Sequence, residues 1–316
     1  MDAAGPASDS IRRDSQGDPR STPGKLALRS LAARSDRKGL VRLGGHLAML
    51  TATGCLLLWS RGTLWVVPAL FAHGVVLVFL FAPLHETIHR TAFRRRALND
   101  AVARAAGFLL LLPADYFRCF HLEHHRFTQD RARDPELAGR PLTSRIGYLH
   151  HVSGLPYWRE RIATTWRHAR GSVTERYVPA PRRPAIVREA RWHLAGYALA
   201  AAASLAAGST LLLWLWVIPA LVGQPFLRLY LLAEHSGCPE VPDMLANSRT
   251  TLSNAAVRLL CWNMNLHSAH HAYPALPFHA LPAADRLLAP QIALRSRGYA
   301  AVQRVIWARL GAESAR

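Results

Sequence analysis

The chain has 316 residues, half of them hydrophobic, with a formal charge of +19 and 16 histidines. The hydrophobic residues gather in long runs, which argues against a soluble enzyme and for a membrane protein. The charge is carried almost wholly by arginine. No helix-turn-helix, zinc-finger or RNA-binding signature accompanies it, so a basic face toward anionic lipid headgroups explains it better than a nucleic-acid surface.

In chain order, residues 1–38 are rich in Ser, Arg, Asp, Gly and Pro and poor in apolar side chains. They read as a disordered tail without the apolar core of a cleaved signal peptide. Two apolar runs follow, Leu43–Ser60 and Leu64–Leu84, separated by the tight hairpin Arg61-Gly62-Thr63. Past the second run stands His85-Glu-Thr-Ile-His89. A shorter run, Ala105–Leu112, stops at Pro113 and is too short to cross a bilayer, so an interfacial or re-entrant helix is expected. It leads into His121-Leu-Glu-His124-His125. Two more apolar runs, Trp192–Ala207 and Thr210–Ala233, surround Gly208-Ser209, and the third of the four runs is marginal for the roughly 17–25 residues a span needs. His267-Ser-Ala-His270-His271 comes near the end, and residues 291–316 form a last helix or tail.

The expected fold is therefore an all-α integral membrane protein. Four transmembrane helices form two hairpins, and a cytoplasmic helical cap carries the histidines within a membrane domain of residues 39–290. Basic residues set the orientation. Lys25 and Lys38 lie in the N-terminal tail, and Arg94, Arg95, Arg96, Arg131, Arg133, Arg182 and Arg183 crowd the central loop, whereas the hairpin tips hold almost none. Both termini and the central loop are expected on the cytoplasmic face of the inner membrane. All three histidine groups then fall on one side.

Spacings of i, i+3 and i+4 put each group's histidines on one face of a helix. Neutral imidazole is a favoured ligand of iron, zinc, copper and nickel. Eight imidazoles exceed the needs of one metal and suit two held close together. A catalytic zinc usually takes only three protein ligands and a water. Ligand histidines usually donate their second ring N–H to a carboxylate or carbonyl. Glu86 and Glu123 inside the groups, and Asp115, Asp130, Asp134 and Glu234 near them, are the candidates. Arg228 shares a helix face with Gln224 and His235. An arginine inside a span is a functional candidate, either pairing with one of these carboxylates, orienting a polar substrate group, or snorkelling to the interface. His46, His73, His150, His151, His168, His193 and His279 are isolated and read as structural. The cysteines Cys55, Cys119, Cys238 and Cys261 form no C-x-x-C pair and read as packing residues, with Cys119 and Cys238 near the histidines.

The order His-x3-His, His-x2-His-His, His-x2-His-His on two apolar hairpins resembles the membrane fatty acid desaturase superfamily over about residues 43–290. The stretch Trp262-Asn-Met-Asn-Leu-His267-Ser-Ala-His270-His271-Ala-Tyr273-Pro274 is similar to its third box. Leu232-Ala-Glu234-His235-Ser-Gly and Asn247-Ser-Arg249-Thr250-Thr251 look like a bacterial branch of lipid desaturases and hydrocarbon oxygenases. The resemblance implies two irons held by nine histidines. Eight are His85, His89, His121, His124, His125, His267, His270 and His271, and His235 at the end of the last span matches the ninth. It further implies O2 as co-substrate, a lipid acyl or hydrocarbon substrate, and a separate ferredoxin or cytochrome with its reductase. No segment is similar to the Asn-Tyr-x-Glu-His-Tyr-Gly pattern of membrane alkane hydroxylases. Hydroxylase or ketolase chemistry on the same scaffold stays open. A membrane metal transporter or sensor would instead place its ligands deep within the helices.

Overall fold

The computed structural model describes residues 22–139 and 142–313. The first part of the expected tail lies outside these residues, but its end does not. Thr22–Ser30 is a helix (α1), and Leu28 is buried with Ala92, Phe93 and Phe278. Apolar positions spaced one helical turn apart give this short segment a face that the protein core covers.

Helix α2, Asp36–Trp59, starts where the Ser35 side chain accepts from the Lys38 amide. The second apolar run is two helices, α3 (Val66–Val78) and α4 (Phe81–Ile88), broken at Phe79-Leu80. Helices α5 (Arg96–Leu109) and α6 (Ala114–Phe127) meet at a bend of 100°. The cap continues with α7 (Arg145–Val152) and α8 (Leu155–Ala169), and the chain then enters α9 (Arg183–Ala206). A π-helical turn, Leu213–Val217, runs directly into α10 (Ile218–His235). Short elements complete the chain: β1 (Arg249–Leu252), α11 (Ala255–Leu260), α12 (His267–Ala272), α13 (Leu281–Leu288), β2 (Leu294–Arg297) and α14 (Tyr299–Glu313).

The fold is mostly helical. It also contains a two-stranded parallel ladder, β1 on β2, with Arg249 opposite Leu294. Among the described residues, three stretches are long and apolar enough to cross a membrane: α2, α3–α4 as Val66–Ile88, and Leu213–His235. The bent α5–α6 pair, as a broken span or a re-entrant loop, raises the number to four. It contains the short run ending at Pro113. The third expected span is the apolar half of α9. That helix begins nine residues before Trp192, so Arg188, Glu189 and Arg191 share it, and it is not among the three. Its apolar end is nonetheless exposed at Leu199 and Leu205, as a lipid-facing surface requires.

The bend between α5 and α6 follows from local chemistry. The chain folds back over Gly107, whose carbonyl accepts from the Leu112 amide at 2.8 Å. A Cβ on Gly107 would stand 2.5 Å from the Leu112 carbonyl oxygen. Pro113 cannot continue a helix begun before it, but it can precede the new one. Both oxygens of Glu189 accept from the first amides of α6, Ala114 at 2.9 Å and Asp115 at 2.8 Å. A carboxylate at a helix N-terminus satisfies donors that have no intrahelical partner.

Helices α3 and α10 form the most intimate pair in the molecule, with Gly74 against Gly223. A Cβ built on Gly223 would lie 2.1 Å from the Gly74 carbonyl oxygen. Small residues let backbones approach this closely, and packing of this kind replaces the hydrophobic drive that lipid cannot supply. Polar ties cross the same region. His73 accepts from the Thr53 hydroxyl at 2.9 Å and donates to the Leu215 carbonyl at 3.0 Å, an oxygen inside the π-helical turn. His46 donates to the Val76 carbonyl at 3.0 Å. Three spans are thereby fixed relative to one another.

Replacing Gly223 with Leu should destabilise the protein at or beyond the upper end of the ~1–3 kcal/mol typical of overpacking, because backbone cannot yield as a side chain can. Gly45, around which a Cβ meets nothing within 4 Å, should accept Ala without loss. Thermal unfolding of both variants in detergent checks this. Equal melting temperatures would contradict the assigned contact.

Candidate metal centre

Each histidine group is delivered by a helix end. His85 lies in α4 and His89 caps its C-terminus. His121, His124 and His125 occupy the last two turns of α6. His235 is the last residue of α10, and α12 carries His267, His270 and His271. The position of α12 depends on the strand before it. Thr251 donates its amide to Asn265 at 2.8 Å, Asn265 returns a side-chain bond to the Thr251 carbonyl at 3.0 Å, and Ser268 donates to the Ser248 carbonyl. Arg249 donates to the Ala233 and Ser236 carbonyls at the end of α10, which fixes the turn carrying His235.

These ends bring the histidines into two groups. His85, His89, His121, His125 and His270 place one ring nitrogen each within 4.8 Å of all the others, and so do His124, His235 and His271. His267 joins the second group, its Nε2 2.9 Å from that of His235. The groups touch where the rings of His125 and His271 stack, centroids 4.1 Å apart. Seven of the nine are buried, while His89 and His235 are partly exposed.

The nitrogen spacings test whether metals fit. The Nε2 atoms stand 2.9 Å apart for His121 and His125, 3.1 Å for His125 and His270, and 3.3 Å for His124 and His235. Nitrogens about 2.1 Å from one ion are roughly 3.0–3.4 Å from each other, so these spacings match the edges of a coordination shell. The second group also shows which nitrogen is free. His124 donates from Nδ1 to Asp134 Oδ1 at 2.9 Å and His235 from Nδ1 to the Asn247 carbonyl at 3.1 Å. The Thr128 hydroxyl donates to the His124 carbonyl at 2.7 Å, so toward His271 Nδ1, 3.2 Å away, it acts as acceptor. All three Nε2 lone pairs are left facing the centre. Fixing the tautomer through the other nitrogen is how proteins prepare histidine for a metal. Burial holds His267, His270 and His271 well below the ordinary imidazole pKa, so they are neutral at pH 7.

Of the six candidate carboxylates, two contact a histidine. Asp134 is buried and also accepts from the Gln129 and Glu136 amides. Glu234 Oε1 lies 3.3 Å from His267 Nδ1. The others are engaged elsewhere. Buried Glu86 accepts from the Phe278 amide, Asp115 faces Arg104, and Asp130 binds Arg133. Glu123 makes no hydrogen bond or ion pair to a histidine among the described residues. Proximity in sequence misleads because a helix sends neighbouring side chains in different directions. Arg228 has no carboxylate partner within 4 Å among the described residues. It stacks over the Tyr157 ring at 4.5 Å, and the Gln224 amide oxygen, oriented to suit it, accepts from Nε at 3.1 Å. Thr128, Gln129, Glu136 and the Asn247 carbonyl are the contributors that motif reasoning misses. Gln129 donates to the His235 carbonyl, and Glu136 comes within 3.7 Å of His124. Nothing in their residue types marks them, although Thr128 follows His124 by one helical turn. The isolated His46, His73, His168 and His193 hydrogen-bond away from both groups, and the four cysteines are free and outside them.

Fold and site together define a multi-pass membrane protein with two adjacent histidine clusters, each able to hold a metal ion. The fatty acid desaturase family model matches residues 62–302, and the chain belongs to that family. It is similar to an sn-1 oleoyl-lipid 12-desaturase of Picosynechococcus sp., 23% identical over 74% of this chain and 72% of that protein. It is also similar to a sphingolipid delta(4)-desaturase of Drosophila melanogaster, 25% identical over 72% of this chain and 67% of that one. The histidine clusters fit the family's di-iron site.

Asp134→Ala should weaken metal binding roughly 10- to 100-fold, as loss of a histidine's supporting carboxylate typically does. Asp130→Ala, one turn away, should leave it unchanged. A chelator competition titration distinguishes them, and equal affinities would remove Asp134 from the site. The metal-free protein should also lose stability in acid. Burial lowers the folded-state pKa of His121, His125, His267, His270 and His271 below their unfolded value of about 6.5, whereas that of His124, beside Glu136 and Asp134, is raised, so on balance the unfolded chain binds more protons as pH falls below that value. Melting temperatures of the metal-free protein between pH 7.5 and 5 should therefore decline, and a flat profile would contradict the neutral assignment.

Proposed function

We propose that this protein is an O2-dependent di-iron desaturase of a lipid acyl chain. The observation that carries the reading is the pairing of two adjacent imidazole clusters at the converging ends of two spans. One iron is assigned to His85, His89, His121, His125 and His270, and the other to His124, His235, His267 and His271. When bound, the irons supply the O2-derived oxidising power that removal of hydrogen from an unactivated CH2–CH2 unit requires. The chain's own residues do the rest. Asp134, the Asn247 carbonyl and Thr128 hold three imidazoles in one tautomer. A small cavity of about 10 Å³ lies against His85 and Glu234, walled by Phe79, Phe81, Ala82 and Met264, with Tyr230 and Cys261 at its polar side. A cavity of this size has room for about one water molecule, and its apolar wall keeps bulk water from this side of the histidines. The names of the two relatives, both desaturases of lipids, support a lipid-linked substrate over a water-soluble one.

Electrons come from a separate ferredoxin or cytochrome with its reductase. The arginines around the central loop support docking of an acidic partner, and their asymmetry supports a cytoplasmic location for both termini.

The purified protein should hold about two irons per chain. His235→Ala should lose iron and turnover, whereas His279→Ala should keep both. Lipid profiles of cells with and without the protein should differ by acyl species two hydrogens lighter. Hydroxylated or oxo products would instead assign oxygen insertion, and an unchanged profile with full iron and reductant would reject the proposal.

A further inference from the structure

The bend between α5 and α6 packs beside α9, and a cleft of about 380 Å³ opens between them. Arg104 and Phe108 of α5, Asp115 of α6, and Arg188 and Trp192 of α9 line it. This volume falls in the range of small-ligand sites, roughly 300–1,000 Å³. We propose that the cleft binds the phosphoethanolamine headgroup of a bilayer lipid. The proposal does not depend on the desaturase reading.

The position of the cleft favours a lipid. Along α9, Arg188 and Arg191 give way at Trp192 to the apolar stretch that ends at Ala206. A helix passing from headgroups into hydrocarbon carries this order of residues, with tryptophan at the boundary. Trp192 is 71% exposed and Arg188 is also exposed.

The charges favour a zwitterion. Arg188 makes no hydrogen bond or ion pair among the described residues. Arg104 is exposed, and its nearest carboxylate oxygen, on Asp115, is 3.9 Å away, beyond hydrogen-bond distance. Two guanidiniums are thus available to a phosphodiester, which they recognise with paired N–H groups. Asp115 retains acceptor capacity for an ammonium. Glu189, which also lines the cleft, is buried and held at the α6 N-terminus by one amide on each oxygen, so Asp115 is the more accessible acceptor.

The same inventory selects ethanolamine over choline. A quaternary ammonium needs aromatic faces rather than an acceptor. Phe108 is already engaged, with Tyr197 at 4.6 Å, Trp216 at 5.5 Å and His193 at 5.4 Å. Only Trp192 remains. A primary ammonium can instead donate directly to Asp115. The occupied cleft would brace the first turn of α6, six residues (about 9 Å) before His121.

The full-length protein in detergent, mixed with equal mole fractions of phosphatidylethanolamine, phosphatidylcholine and phosphatidylglycerol, tests this by native mass spectrometry. One phosphatidylethanolamine should remain bound about tenfold more than phosphatidylcholine, a preference of ~1.4 kcal/mol. Arg188→Ala, an exposed change that leaves the fold intact, should reduce this retention about tenfold. Asp115→Asn should abolish the preference for ethanolamine over glycerol headgroups. Equal retention of the three lipids, or undiminished retention in Arg188→Ala, overturns the proposal. Displacement of the lipid by millimolar inorganic phosphate would show a phosphate site in place of a headgroup site and overturns it equally.

Discussion

Nine imidazoles share a small, largely buried volume, and several aim the same nitrogen at one another. His121, His125 and His270 present Nε2 to Nε2 at about hydrogen-bond distance. At most one proton can sit between any two such atoms, so the lone pairs cannot all be satisfied within the protein. The converging Nε2 lone pairs oppose one another in the metal-free chain, and an unpaired buried polar atom costs roughly 1–3 kcal/mol. A cation at the centre of each cluster would turn this geometry from a liability into coordination. The Nδ1 atoms of His121, His125 and His270 lie on the other side of their rings and have no partner of their own.

The rest of the molecule holds these rings still. Gly74 and Gly223 lock the second and last spans together, so α4 and the end of α10 reach the same depth. Arg249 fixes the last turn of α10, and the β1 segment sets α12 beside it. The fold resembles a frame in which rigid helix ends carry ligands. Loops supply the hydrogen bonds that orient them, as with Asp134 and the Asn247 carbonyl. This division suits a metal centre, since helices set positions accurately and backbone acceptors select the tautomer.

Much of the site was legible because helical periodicity is local. Spacings of i, i+3 and i+4 predict a shared face without knowledge of the fold, and the triplets at His121 and His267 obey this. The apolar runs were legible for a similar reason, since the bilayer demands length and composition together. The reading weakened where a signal depended on distance. Six carboxylates near the histidines were indistinguishable in sequence, yet only Asp134 and Glu234 turn toward the rings. Residues 22–30 looked like tail because their apolar content is modest, but tertiary packing buries Leu28.

By itself, the sequence determined the helical membrane class and the eight box histidines that the fold gathers, because each is written in composition or in spacing within one turn. Only the tertiary structure decided how five of them group apart from the others. It also set which nitrogen of His124 and His271 is free, and where Arg228 points. Those properties arise from contacts between different elements, such as Thr128 with His271, His124 with His235 and Arg228 with Tyr157. No local pattern encodes such a pair; the packing of the spans brings it together.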